Sequence, residues 1–283
     1  MASIYISDLD GTLLTGQPAL SDYTRSHLSR MLDAGLPFTV ASARSVVSIR
    51  ELLQDLPLRL PVIEFNGAFI SDYTSGDHRI IHSLECGLVP EIFELIKRHS
   101  ALPFISTFNG QEDCLYYESI LNEGMGFYQQ SRKESGDKRL REIADLRGCM
   151  EEQVVCLTVI DRRPVVEAVA AELKDRYPGA TEPHIFADSY APPGWYWLTI
   201  HDRRASKDQA IGILVEEFGF DLEGLTVFGD EVNDIKMFQL APRAVAVANA
   251  LDEVKAVATE VIGSNEEDSV VRFIERDWDR GAV

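Results

Sequence analysis

Two aspartates, Asp8 and Asp10, close a short apolar run in the stretch IYISDLDGTLL at residues 4–14. Ile4 to Ser7 read as a buried strand that Gly11 ends. Side chains alternate along a strand, so Asp8 and Asp10 project to one side and Leu9 to the other. Two carboxylates so placed repel each other unless a cation or a shared proton relieves them. An Asp-Gly turn is the plainer account, since both residues favour turns. The full Asp-x-Asp-Gly-Thr pattern fixes more positions than a turn requires, which favours chemistry.

The elements around this stretch alternate. SDYTRSHLSRMLDAG (21–35) predicts a helix with Ser21 as N-cap, Gly35 as stop, and Leu28, Met31 and Leu32 on one face. LPFTVASA is a second strand, SVVSIRELLQDL a second helix and PVIEFNGAFI a third strand. The alternation resumes with the helix SKDQAIGILVEEFG (206–219), the strand LTVFGD and the helix NDIKMFQLA. Repeated strand–helix–strand units imply right-handed crossovers and a parallel sheet covered on both faces. Between about 83 and 197 the texture changes to neighbouring strands with fewer helices, including an amphipathic helix expected over GDKRLREIADL. The expected architecture is therefore α/β. A doubly wound, Rossmann-like core spans 1–82 and 198–283, and an α+β domain spanning 83–197 is inserted into it.

Composition sets outer bounds. The chain has 283 residues, 45% apolar and 26% charged, with 46 acidic against 27 basic residues and a formal net charge of −19. That charge argues against nucleic acid or an anionic membrane as the main partner. A small anionic substrate remains compatible, because a local cation or helix N-terminus can invert the field in a cleft. No stretch reaches the length of a membrane span, and no basic-then-apolar leader opens the chain. Cys86, Cys114, Cys149 and Cys156 show no paired C-x-x-C spacing, which leaves a reduced, cytoplasmic protein as the expectation.

Open parallel sheets bind ligands beyond the carboxyl ends of their strands. Collected there are Asp8 and Asp10, then Ser42 with Ala43 and Arg44, then Asp230 with Glu231, Asn233 and Asp234. Lys207 stands at the start of the helix after the insert. Carboxylates, a hydroxyl, an amide and an ammonium suit magnesium together with a phosphoryl group. Each residue alone has a structural explanation: a solvated lysine, a serine at a strand end, an Asn233 or Asp234 helix cap. Their joint placement favours a site.

DLDGT, Ser42 of TVASAR, Lys207 of SKDQA, and GDEVND resemble, in order, the four motifs of the haloacid dehalogenase superfamily. NGA at 66–68, the tail VAVANALDEVKAVA and the large insert are similar to its Cof-type phosphatases. The resemblance spans essentially the whole chain. It implies a nucleophilic Asp8 that forms an aspartyl-phosphate. Asp10 would protonate the leaving oxygen and then activate water. It further implies Mg²⁺ at the Asp8 carboxylate, the Asp10 main-chain carbonyl and Asp230, with Asp234 supporting. Ser42, Lys207, Asn233 and main-chain groups at Leu9 and Ala43 would hold phosphate oxygens.

The implied substrate is a small phosphorylated metabolite, with a sugar phosphate expected, selected by the inserted cap. Phe108, Tyr116, Tyr117, Tyr190, Trp195 and Trp197 are candidates for its lining, although aromatic strand residues are more often core. The motif Ser42-Ala43-Arg44 departs from the family's usual Thr-Gly-Arg. Serine keeps the hydroxyl, whereas alanine restricts the loop backbone. Two alternatives stay open: a sugar phosphomutase using the same aspartates, and a non-catalytic module that binds a phosphorylated metabolite.

Overall fold

The computed structural model describes residues 3–187 and 192–281. The chain divides into two compact units, Met1–Ile80 with Ser206–Val283, and Ile81–Ala205. Each has its own hydrophobic core. The second crossing thus lies at Ala205 and Ser206 rather than near 197. The reason is the strand Tyr196–Asp202, which pairs on both edges inside the inserted unit's sheet.

The first, or core, unit is built on a five-stranded sheet, in the order Glu260–Val261, Arg243–Ala246, Leu225–Gly229, Ile4–Ser7 and Phe38–Val40. Every pairing in it is parallel, as the alternating pattern predicts. Ile4 to Ser7 are all buried, as expected of a central parallel strand. A parallel bridge from Ala41 to Ile63 leads on to a smaller sheet of Val62–Glu64, Phe69–Ser71 and His78–Ile81.

The core helices follow their capping signals. Asp22–Asp33 begins after Ser21, whose hydroxyl accepts the Thr24 N–H at 2.9 Å, and Leu28, Met31 and Leu32 are its buried face. Val46–Leu53 begins after Ser45. Lys207–Phe218 begins after Ser206 and ends at Gly219 in the left-handed conformation.

The inserted unit is α+β. Its six-stranded sheet runs Thr181–Ala187, Tyr196–Asp202, Gln153–Asp161, Pro103–Phe108, Asp113–Tyr117 and Leu140–Glu142. All neighbours are antiparallel except the last pair. Helices Leu88–Arg98, Glu123–Glu134 and Arg163–Arg176 accompany it.

One expectation fails here: GDKRLREIADL is not a helix. Gly136 takes φ +68°, and the Asp137 carboxylate turns back to accept the Arg139 main-chain N–H at 3.0 Å. That local bond competes with helix formation, and Leu140–Glu142 pairs as an edge strand. The helix lies earlier, at Glu123–Glu134, where Gly124 and Gly126 weaken the propensity signal. Gly124 is required there because a Cβ would stand 2.7 Å from the Trp195 ring. Among the described residues no helix is long and apolar enough to cross a membrane.

Candidate active site

The end of the strand Ile4–Ser7 is pinned before any side chain acts. The Asp8 N–H donates to Phe228 O at 2.9 Å, tying it to the neighbouring strand. Leu9–Leu13 then forms a tight turn closed by the Leu14 N–H on Leu9 O at 2.9 Å. Gly11 has φ +72°, and a Cβ there would fall on the Asp230 carboxylate, so only glycine lets the two loops meet. Thr12 Oγ1 crosses the same junction and donates to Asp230 Oδ1 at 2.7 Å.

Lys207 is the hub. It is 1% exposed, and its Nζ donates to Asp8 Oδ1 and to Asp234 Oδ1, each at 2.6 Å. Asp234 Oδ2 accepts the main-chain N–H groups of Asp230 and Glu231 at 2.9 and 3.0 Å, which fixes the loop after Leu225–Gly229. Asp8, Asp230 and Asp234 offer carboxylate oxygens within 4.8 Å of one another.

The electrostatics are unbalanced. Burial raises Asp8 well above the usual carboxylate range, Lys207 opposes this, and Asp234, Asp230 and Asp10 add to it. Burial, then Asp234, lifts Asp230 to about 7. Burial alone would lower Lys207, but Asp234 and Asp8 outweigh it and hold the ammonium charged. Three acids share one ammonium, so the charged forms of Asp8 and Asp230 are short of counter-charge. A hard divalent cation held by carboxylate oxygens is the group that fits such a donor set.

The remaining site candidates sit on adjacent loops. Ser42 is buried, and its hydroxyl accepts the Arg44 N–H at 3.1 Å. Ala43 is not among the residues with positive φ, so the loop does not need the glycine that the family motif carries. Arg44 forks onto Asp10: Nε to Oδ2 and Nη2 to Oδ1, both at 2.6 Å. The Asp10 carboxylate is thus paired with Arg44 and is not one of the three acids of the Asp8–Asp230–Asp234 group, although its charge reaches Asp8. Asn233 Nδ2 donates to Asn66 Oδ1 at 2.9 Å. Leu9 is fully buried at the head of the turn.

Two residues at this end of the sheet were not singled out by type. Asn249 Nδ2 donates to Gly11 O at 2.7 Å, and Asn66 joins the Ser42 loop to Asn233. Both act through amide hydrogen bonds to partners distant in sequence, and only their positions in the VANA and NGA segments hint at them.

The aromatic candidates of the insert are engaged within their own unit. Tyr116 and Tyr117 donate to Glu152 and Glu142 at 3.0 and 2.9 Å. Trp195 lies beneath the Arg162 guanidinium at 3.7 Å, and Trp197 packs on Tyr128 at 4.7 Å. Phe108 ends its strand partly buried. Tyr190 lies outside the described residues.

Against known proteins, residues 5–274 match the model of the haloacid dehalogenase-like hydrolases. The chain belongs to that family, in its Cof-type branch. It is an enzyme by that membership. A 5-amino-6-(5-phospho-D-ribitylamino)uracil phosphatase of Bacillus subtilis is 25% identical over 270 residues, covering 94% of each chain. A pyridoxal phosphate phosphatase of Escherichia coli is 27% identical over 276 residues, covering 94% of this chain and 95% of its own. A haloacid dehalogenase-like hydrolase of Bacteroides thetaiotaomicron superposes with a TM-score of 0.78 at 24% identity, over 98% of this chain and 99% of that one. A Thermotoga maritima structure gives 0.76 at 25% identity, over 98% and 97%.

Proposed function

We propose that this hydrolase is a magnesium-dependent phosphatase of small phosphomonoesters, sugar phosphates foremost, working through an aspartyl-phosphate. The observation that carries the reading is the buried Lys207 ammonium bridging Asp8 and Asp234 beside Asp230. It supports a reading in which Asp8, after the strand Ile4–Ser7, is the nucleophile, with a fixed ammonium and the acids that follow the neighbouring strand Leu225–Gly229 beside it.

In the first half-reaction an Asp8 carboxylate oxygen attacks phosphorus in line, and the bond to the leaving oxygen breaks. Asp10 delivers a proton to that oxygen. In the second, Asp10 takes a proton from water, whose oxygen attacks the same phosphorus and releases Asp8 and inorganic phosphate. Ser42 Oγ, Lys207 Nζ, Asn233 and the N–H groups at Leu9 and Ala43 hold the phosphoryl oxygens through both steps. Asp8, Asp230, the Asp10 carbonyl and, in support, Asp234 would hold Mg²⁺, which supplies charge neutralisation between the anionic nucleophile and the phosphoryl group.

The relatives support a small substrate: their names carry a phosphoribitylamino-uracil and pyridoxal phosphate. The net charge of −19 disfavours a polyanionic macromolecule. The four cysteines are free thiols, in keeping with a reducing cytoplasm.

The test is a panel of phosphorylated metabolites, phosphopeptides and oligonucleotides, run with magnesium and with excess chelator. Hydrolysis of hexose or pentose phosphates that stops on chelation supports the proposal. Undiminished turnover in protein shown to be metal-free, or macromolecular substrates winning by about tenfold in kcat/KM, would refute it.

A further inference from the structure

Three loops of the site lean on one uncharged turn. Phe65, Asn66 and Gly67 follow the strand Val62–Glu64 and have φ of 46°, 56° and 106°. Phe65 and Asn66 are consecutive non-glycine residues in the left-handed region, a conformation that costs free energy, more at Phe65 than at Asn66. The Phe65 N–H donates to Arg44 O at 3.1 Å and the Asn66 N–H to Ser42 O at 2.9 Å. At Gly67 a Cβ would stand 2.6 Å from Ser206 O, immediately before Lys207. The turn therefore touches the Ser42 loop, the start of the Lys207 helix and, through the Asn66 side chain, Asn233.

The amide pair adds a second anomaly. Asn66 is 1% exposed, yet its Nδ2 has no hydrogen-bond partner among the described residues, and neither has Asn233 Oδ1. Unpaired buried amide atoms are costly, and here they accompany strained backbone. One bond in the pair is made, from Asn233 Nδ2 to Asn66 Oδ1. That bond uses one of the two N–H groups on Asn233 and fixes the plane of its amide, which sets the direction of the other.

We propose that Asn66 is a positioning residue of the phosphate site: its Oδ1 locks the Asn233 amide so that the second Asn233 N–H meets a phosphate oxygen. The proposal rests on the phosphatase reading. Without the lock, the Asn233 amide rotates among several orientations, and ordering it again on binding weakens the affinity for phosphate.

The test is a double-mutant cycle read by calorimetric binding of inorganic phosphate in the presence of magnesium, with melting temperatures alongside. Asn66→Gly retains the main-chain bonds, removes the amide and relieves the φ of 56°. It should melt no lower than wild type and bind phosphate about tenfold more weakly, the scale of one hydrogen bond to a charged group. In an Asn233→Ala background the same change should have no further effect, because its route to the ligand is gone. Asn66→Ala enters the same cycle if the glycine variant does not fold. Wild-type phosphate affinity in the Asn66 variant, a loss that adds in full to that of Asn233→Ala, or a wild type that binds no phosphate would overturn the proposal. A wild type that binds phosphate and obeys the cycle but hydrolyses nothing would sink the phosphatase reading alone.

Discussion

The two units handle buried charge in opposite ways. In the inserted unit arginines surround the acid: Nε and Nη2 of Arg139 reach the Asp137 carboxylate at 2.9 and 2.6 Å, and Arg132 Nη1 stands 3.8 Å away. Burial would raise Asp137, but Arg139 overrides it and holds the acid below its ordinary range. In the core unit Lys207 faces two acids with a third alongside, and burial and crowding raise Asp8 and Asp230 instead. An acid already matched by arginines has nothing to offer a further cation. An unbalanced cluster is finished only by something that arrives, and this contrast separates scaffold from site more sharply than burial does.

The largest expected effect follows from the unbalanced side. Asp8→Asn removes the nucleophile and one of the crowded charges while leaving Lys207 its bond to Asp234. Turnover should fall by about 10⁴-fold or more. Stability should not fall, because the buried carboxylate is already disfavoured in its charged form. Steady-state rates and thermal melts of the same preparation check both halves. Retained activity, or a melt far below wild type, breaks the comparison.

Asp137→Asn is its mirror image. It strands Arg139 in a buried position without its counter-ion, which costs roughly 3–5 kcal/mol when one member of a buried pair is deleted. Denaturant unfolding should show that loss in the inserted unit, with the chemical step in the core unit spared. A loss of kcat larger than the loss of folded protein would contradict the division.

The same contrast governs what was legible beforehand. Asp8, Asp230 and Asp234 could be grouped in advance because acids followed the ends of recognisable parallel strands, and Lys207 because it opened the helix after the insert. The helix Asp22–Asp33 could be read because Ser21 and its apolar stripe agreed. Asn66 and Asn249 act by hydrogen bonds to residues far away in sequence, and an asparagine in a loop is ordinary. In the insert the signals conflicted. GDKRLREIADL has a helical apolar period, but the Asp137–Arg139 contact and pairing of Leu140 with Leu115 overrode it. Glu123–Glu134 is helical despite two glycines, one of which exists for the Trp195 ring.

A smaller effect comes from His201, in the inserted unit's core. Burial lowers it to about 4 against a hydrogen bond with Val155 O at 3.0 Å that works the other way. Above the unfolded pKa of about 6.5 both states are neutral and the group has no influence. As pH falls below that, the unfolded chain takes up a proton that the folded unit declines. Stability is therefore lost progressively from about pH 6.5 down to about 4, by at most about 3 kcal/mol. Urea unfolding at several pH values should show that slope, and His201→Gln should flatten it. An unchanged slope in the variant would assign the acid sensitivity elsewhere.

The finest test uses one substitution in both units. Gly212, in the helix Lys207–Phe218 of the core unit, has nothing within 4 Å of where a Cβ would lie. Gly212→Ala should therefore gain helix propensity alone, up to about 1 kcal/mol. Gly124, in the helix Glu123–Glu134, stands where a Cβ would meet Trp195 Cδ2 at 2.7 Å, its Cε3 at 2.9 Å and Ile160 Cγ2 at 3.0 Å. The same propensity gain applies to Gly124→Ala, but overpacking of about 1–3 kcal/mol opposes it. The indole cannot retreat without disturbing the Arg162 guanidinium stacked on it at 3.7 Å. The two alanines should thus shift denaturant midpoints in opposite directions, upward at 212 and downward at 124. Equal shifts would mean that the Trp195 contact yields freely, and that the glycine in the insert reflects tolerance instead of close packing.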